Sequence, residues 1–240
     1  MDRCKAIHEE TRTKWEAGVQ SGAMPEYLDV ENWARRDLFE FFRTYANPYF
    51  NICTRLDITE ASTYLRSHQS ISISLALHYV ALRAANETEP FRYRLENGKV
   101  VIYEIIHGGT IVLQPNESFN FAYFDYQQDF GKFIADAQKA VNEAGKVNQP
   151  LQPDPSENRI HFTVLPWLAF TSFAHARNFG REESIPKIAF GKFIKENPRT
   201  LVPFSVEVHH ALMDGLHVGR FVARAQELLD SPETTFLPKS

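Results

Sequence analysis

Apolar positions recur along this chain with two periods, and the switching between them marks its elements. Residues 4–19 carry Ile7, Trp15 and Val19 on a broken apolar face of a charged helix, and residues 21–25 end it. A second helical pattern covers residues 31–45, with Trp33, Leu38, Phe41 and Phe42 apolar. Residues 49–58 read as a strand, followed by a short helix that ends near Ser67. Residues 75–85 are apolar on nearly every side, which fits a buried core helix.

Period-2 patterning then takes over. Residues 91–95 and 100–106 flank Glu96-Asn97-Gly98, a hairpin turn signal. Residues 111–113 and 119–126 add strands, and residues 130–144 form an amphipathic helix. The segment 148–158 is rich in Pro, Asn and Gln and reads as the one long loop. Further strands are expected at 160–165, 187–193 and 201–208, with a last helix over 217–229. No internal repeat or low-complexity tract interrupts the pattern. Helices alternating with several strands imply an α/β or α+β class, a mixed sheet with helices packed on it.

Composition narrows this little. At 240 residues with 43% hydrophobic content, the chain can bury a substantial core in one or two domains. A net charge of -4 argues against nucleic acid as a partner, because phosphate recognition wants a basic surface. No apolar run approaches the ~20 residues that cross a membrane, and the N-terminus lacks an apolar signal core, so a cytoplasmic enzyme is expected. Cys4 and Cys53 have no metal-type spacing and give no disulfide framework. The 19 phenylalanines hint at a ring-lined pocket or interface.

Candidate chemistry concentrates in Val-His-His-Ala-Leu-Met-Asp-Gly-Leu-His, residues 208–217. Adjacent strand residues point to opposite faces, so one histidine of the His209-His210 pair can face a cleft while the other packs. Asp214-Gly215 reads as a sharp turn that pins the strand end. A histidine held this way suits a general base, since free imidazole titrates near pH 6.5. A buried Asp214 carboxylate needs a partner, and the Arg35-Arg36 pair offers one. Metal binding is the competing reading: on a helix, His210, Asp214 and His217 would share one face. Gly215 and the β-branched approach through Val202, Val206 and Val208 argue against a helix there, so no metal is expected.

The string 207–217 resembles the active-site signature of the chloramphenicol acetyltransferases, and its HHxxxDG core is shared with other CoA-dependent acyltransferases. Residues 33–42 (Trp-Ala-Arg-Arg-Asp-Leu-Phe-Glu-Phe-Phe) resemble that family's N-terminal helix. Residues 165–173 resemble its central strand and 217–221 the start of its last helix, so similarity runs in order from about 28 to 229. The resemblance implies a two-layer α/β sandwich, a mixed sheet with helices on one face. It places an acyltransferase domain at 26–240 behind a helical extension at 1–25. It also implies a homotrimer with its active sites at the subunit interfaces. By the same resemblance His210 is the general base, His209 its non-catalytic neighbour, and Asp214 with Arg35 a structural ion pair. Thr163 is the oxyanion donor. Phe42, Phe50, Phe119, Trp167 and His175 line the substrate pocket, and Lys192 faces the phosphate of CoA. Acetyl-CoA is a co-substrate and no tightly bound cofactor is implied.

Several positions depart from the family pattern. Thr163 stands where serine is usual, Glu207 and Leu216 replace a glutamine and an aromatic, and Phe42 replaces a tyrosine. His175 and Arg177 occupy apolar pocket positions, and Ala189 replaces a threonine near the reaction centre. Acetyl transfer to chloramphenicol is the leading expectation. Two others stay open: transfer to a different alcohol, and a catalytically weak relative that binds small hydrophobic ligands.

Overall fold

The structure, a computed structural model, describes residues 26–68, 71–146, 151, 153–178 and 182–237. The proposed helix at 4–19 lies outside the described residues, as does part of the segment 148–158. The strands are β1 (Glu26–Tyr27), β2 (Tyr49–Asp57), β3 (Tyr93–Glu96), β4 (Lys99–Ile102), β5 (His107–Leu113), β6 (Phe119–Phe124), β7 (Arg159–Leu165), β8 (Lys187–Gly191), β9 (Ile194–Glu196) and β10 (Arg199–His209). The helices are α1 (Arg36–Phe42), α2 (Thr59–His68), α3 (Ile73–Asn86), α4 (Phe130–Ala144), α5 (Gly215–Asp230) and α6 (Pro232–Thr235).

The main sheet has the order β2-β10-β8-β7-β5-β6, and β9 pairs with one end of β10. It is mixed: β5, β7 and β8 run parallel, while β2, β6 and β10 pair antiparallel with their neighbours. Alternation sorts its two faces. Ile160, Phe162, Ile188, Phe190, Val202, Phe204, Val206 and Val208 join the core with residues of α3, α4 and α5. The opposite face of the same strands carries His161, Thr163, Lys187, Ser205, Glu207 and His209. One face is therefore the hydrophobic seam and the other is free for chemistry.

A smaller antiparallel sheet, β1-β4-β3, packs its apolar residues with Trp33, Phe39, Ala211 and Leu212 in a second cluster. Its hairpin turns at Asn97-Gly98, with φ of 52° and 75°, the left-handed pair that a two-residue turn demands.

Three expectations need correction. The helix expected at 31–45 is a 3-10 turn, Val30–Asn32, then a break, then α1. Trp33 takes an extended backbone (φ -78°, ψ 130°), and its ring packs against Phe39 and Tyr93. Strand β5 begins four residues before the expected Ile111, because Gly108-Gly109 is a strand site and not a breaker. A Cβ on Gly108 would lie 2.4 Å from the Phe124 ring, and one on Gly109 2.7 Å from Tyr123. Two neighbouring aromatics thus occupy the space side chains would need. The turn at Asp214-Gly215 is instead a helix start: Asp214 is the N-cap of α5, and Gly215 has no left-handed φ.

Candidate active site

His209 and His210 sit where β10 ends, five residues before α5 begins. His209 turns to the polar face, where Tyr49 meets its ring edge-on at 5.2 Å. Its Nδ1 accepts from the Ala211 amide (3.3 Å). Burial, with the charge of Arg177 behind it, pushes this ring down to about 4, so it is neutral at pH 7.

His210 is held differently. Phe42 stacks on its imidazole at 3.8 Å and 9°, and Phe50 lies 4.6 Å away. Its amide donates to the Pro48 carbonyl (2.7 Å), and its carbonyl accepts from Arg35 Nη2 (3.2 Å). Two aromatic walls and two backbone bonds fix the ring's place. Nδ1 is buried without a partner among the described residues, which leaves Nε2 as the nitrogen a substrate hydroxyl can reach.

Arg35 is the N-cap residue of α1 and forms a short ion pair with Asp214 through its Nη1. One guanidinium thus spans the Asp214 carboxylate and the His210 carbonyl. Asp214 also accepts from the Leu216 amide (3.0 Å), and His217 Nδ1 accepts from the Asp214 amide (3.1 Å). This is a capping box with histidine at its third position, and it fixes the loop 210–214 from its far side. Partial burial would raise the Asp214 carboxyl, but the charges of Arg35 and His217 outweigh it and hold it below the ordinary range. Sequence reasoning named His217 only as a competing metal ligand and missed its capping role, and it missed Pro48. An Asp-x-x-His string ahead of an amphipathic run was the available signal for the first.

Thr163 lies elsewhere. It pairs with Ala189 across β7–β8, and Ala189 pairs with Ser205 across β8–β10. His210 is five residues beyond Ser205 and two strands over. At ~3.3 Å per residue and ~4.8 Å between strands, the two residues are on the order of 19 Å apart. They also use different faces, since Phe50 beside His210 pairs with Val208 on the helical side. Within one chain, His210, Asp214, Arg35, Phe42 and Phe50 come together, and Thr163 does not join them.

The remaining candidates lie apart from this group. Trp167 is 61% exposed just after β7, and Phe119 is 48% exposed on edge strand β6. Lys192 is exposed, with its amide donating to the Leu168 carbonyl (2.8 Å). His175 belongs to a buried ionic network on the polar face of the sheet. There Arg177 Nε donates to Glu207 Oε1 (2.6 Å), and the His175 amide donates to Glu207 Oε2 (3.1 Å). Lys187 and Arg177 both pair with Glu183, at 3.0 and 3.3 Å. Burial alone would raise Glu207, but His175 and Arg177 outweigh it and bring its carboxyl down to about 2. No group of three or more His, Cys, Asp or Glu among the described residues is arranged to hold a metal. The helical alignment that zinc would need at 210–217 is not formed, because β10 ends at His209 and α5 starts at Gly215.

A half-buried strand-end histidine whose loop is tied by an arginine–aspartate pair, on a mixed sheet, points to a known group of proteins. The family model described as chloramphenicol acetyltransferase matches residues 25–226. The chain belongs to the chloramphenicol acetyltransferase family. The family's chloramphenicol acetyltransferase 3 of Escherichia coli is 31% identical over 208 residues, 85% of this chain and 96% of that one. A chloramphenicol acetyltransferase of Campylobacter coli is 28% identical, with 85% and 97% covered. A solved chloramphenicol acetyltransferase superposes with a TM-score of 0.76 at 29% identity, covering 86% of this chain and all (100%) of that one. A dihydrolipoamide acetyltransferase of Azotobacter vinelandii shares the fold, with a TM-score of 0.65 at 16% identity. Family membership makes this chain an acyltransferase of α/β fold. No helix among the described residues is long and apolar enough to cross a membrane.

Proposed function

We propose that the protein transfers acetyl from acetyl-CoA to an alcohol by direct attack, with His210 as the base. Nε2 of His210 takes the hydroxyl proton of the acceptor, whose oxygen attacks the thioester carbonyl. The tetrahedral oxyanion accepts a hydrogen bond from the Thr163 hydroxyl. Collapse breaks the carbon–sulfur bond, and the departing thiolate recovers the proton from His210. The products are an acetyl ester and free CoA. Arg35 and Asp214 hold the loop that carries the base and take no proton. Lys192 would meet the phosphate of CoA, and Trp167 and Phe119 would line the cleft.

The observation that carries this reading is the seating of His210 at the end of β10, stacked by Phe42 and with its loop tied by the Arg35–Asp214 pair, while Thr163 and His210 lie apart within one chain. Their joint use requires two chains, which supports a homotrimer with each site between neighbours. Exposed apolar positions are in keeping with such contacts: Ile111, Leu113 and Phe119 on β5–β6, and Trp167 with Leu168 after β7.

The relatives' names make chloramphenicol the first acceptor to test. The assay is release of CoA thiol from acetyl-CoA with chloramphenicol, run beside His210→Ala. Turnover reduced in the variant by about 10²-fold or more supports the base assignment. Equal rates in the two would remove it. A second reading, a different alcohol as acceptor, is favoured by the ionic network of Glu207, Arg177 and Lys187 on the face that carries Thr163.

A further inference from the structure

A cavity of about 490 Å³ lies between α5 and the turn that follows α3, and no step of the transfer chemistry uses it. From α5 come His217, Arg220 and Arg224, at i, i+3 and i+7 on one helix face. Residues 87–90 face them, and Trp33, Tyr93 and Arg35 complete the lining. His210, Phe42 and Phe50 are not part of it. Its volume falls within the ~300–1,000 Å³ of small-molecule sites.

Most charges on this lining are already paired. Arg35 binds Asp214, and Arg224 binds Glu87 (2.6 Å) and Glu227 (2.8 Å). Glu87 also holds Arg83 (3.0 Å). His217 adds no charge at pH 7, because burial holds its ring below the ordinary range. Two charges are left. Arg220 is exposed and has no ion-pair partner among the described residues. Glu89 is exposed as well; it accepts from the Tyr93 hydroxyl and meets no cation among those residues. These two do not pair with each other. Beside them Trp33, half-buried, stands edge-on to Tyr93 at 6.0 Å and 84°.

A simple anion at Arg220 would share the cavity with Glu87 and Glu89, and a simple cation at Glu89 would share it with Arg220, Arg224 and Arg35. Like charges on one site oppose either ligand. A molecule that carries both signs meets a partner for each. The geometry points to a binding site for a free α-amino acid with an apolar or aromatic side chain, its carboxylate at Arg220, its ammonium at Glu89 and its side chain against Trp33. The site stands independently of the acetyl transfer proposed above. Arg35 and His217 both hold Asp214, so the bound amino acid touches the groups that tie the loop of His210. Both charge contacts are exposed, so the loss of either weakens binding only about two- to fivefold. The affinity that two such contacts and one ring surface supply is on the order of 1 mM.

Ligand-observed NMR titration of the intact protein tests the site. The probes are L-phenylalanine, 3-phenylpropanoate, which lacks the ammonium, and phenethylamine, which lacks the carboxylate. Phenylalanine should bind with a Kd on the order of 1 mM, and each half about two- to fivefold more weakly. Arg220→Gln should weaken phenylalanine and phenylpropanoate by that factor and leave phenethylamine unchanged. Glu89→Gln should weaken phenylalanine and phenethylamine and leave phenylpropanoate unchanged. Both side chains are exposed, so each variant should keep Tm within about 1 °C of wild type. Phenylalanine binding that either variant leaves unmoved would place the ligand elsewhere and overturn the inference. Halves that bind as tightly as the whole, or no saturation at about tenfold the expected Kd, would overturn it too.

Discussion

Arg35→Met isolates the device that holds the base. In the native protein one guanidinium bridges the Asp214 carboxylate and the His210 carbonyl, while its side chain is 12% exposed and that of Asp214 is 30% exposed. A fully buried pair broken on one side costs about 3–5 kcal/mol, and an exposed one about 0–1. This pair lies between, so its loss should cost about 2 kcal/mol. The lost bond to the His210 carbonyl adds about 1 kcal/mol. Asp214 keeps its bond from the Leu216 amide, which limits the total to about 3 kcal/mol. For a chain of this size, that lowers Tm by roughly 6–12 °C. The kinetic effect is separate. A base displaced by about 1 Å loses on the order of 10²-fold in kcat, while KM stays near its native value. Differential scanning calorimetry and thiol release at saturating acceptor measure the two effects. A variant with Tm within 1 °C of wild type and unchanged kcat would refute the claim that Arg35 positions His210.

Other outcomes follow from the same structure. Thr163→Ala should lower kcat by about 10²-fold with little change in KM, as expected for a donor used only by the oxyanion, and Thr163→Ser should restore it. Stability should fall as pH drops from about 6.5 to 4. His78, His161 and His209 are each pushed down to about 4 by burial, so over this window the unfolded chain binds more protons than the folded one. Each ring would cost about 3 kcal/mol by pH 4, and urea midpoints measured across the window would show it. Glu207 has the ordinary carboxylate sense. Its stabilisation is present above about pH 4.5 and lost as pH falls toward about 2, so Glu207→Gln should flatten the acid limb of the same curve.

Much of the fold was legible because its elements are patterned at a single scale. Helix α4 runs Phe130–Ala144, the span its apolar stripe indicates, and β2 and β10 fall within a residue or two of their runs. What escaped depends on neighbours distant in sequence. Gly108 and Gly109 look like breakers until the rings of Phe124 and Tyr123 are seen to fill their places. The helix at 31–45 reads as continuous until Trp33 turns outward to reach Tyr93. At the site, the motif identified the strand-end histidines and the Arg35–Asp214 pairing. It did not disclose the stacking of Phe42 on His210, because ring geometry is set across residues 42–210. Nor did it foretell that His175 and Arg177 converge on Glu207. Apart in sequence they read as three unrelated substitutions; in space they are one network.

The most direct test of a site shared between chains is complementation. Thr163→Ala and His210→Ala chains, each nearly inactive alone, are unfolded together in equal amounts and reassembled. If every site takes Thr163 from one chain and His210 from its neighbour, random mixing gives each interface both intact residues about one time in four. Thiol release should then recover to about a quarter of the wild-type rate. A mixture no more active than its two parents would contradict the shared site and return the chemistry to a single chain.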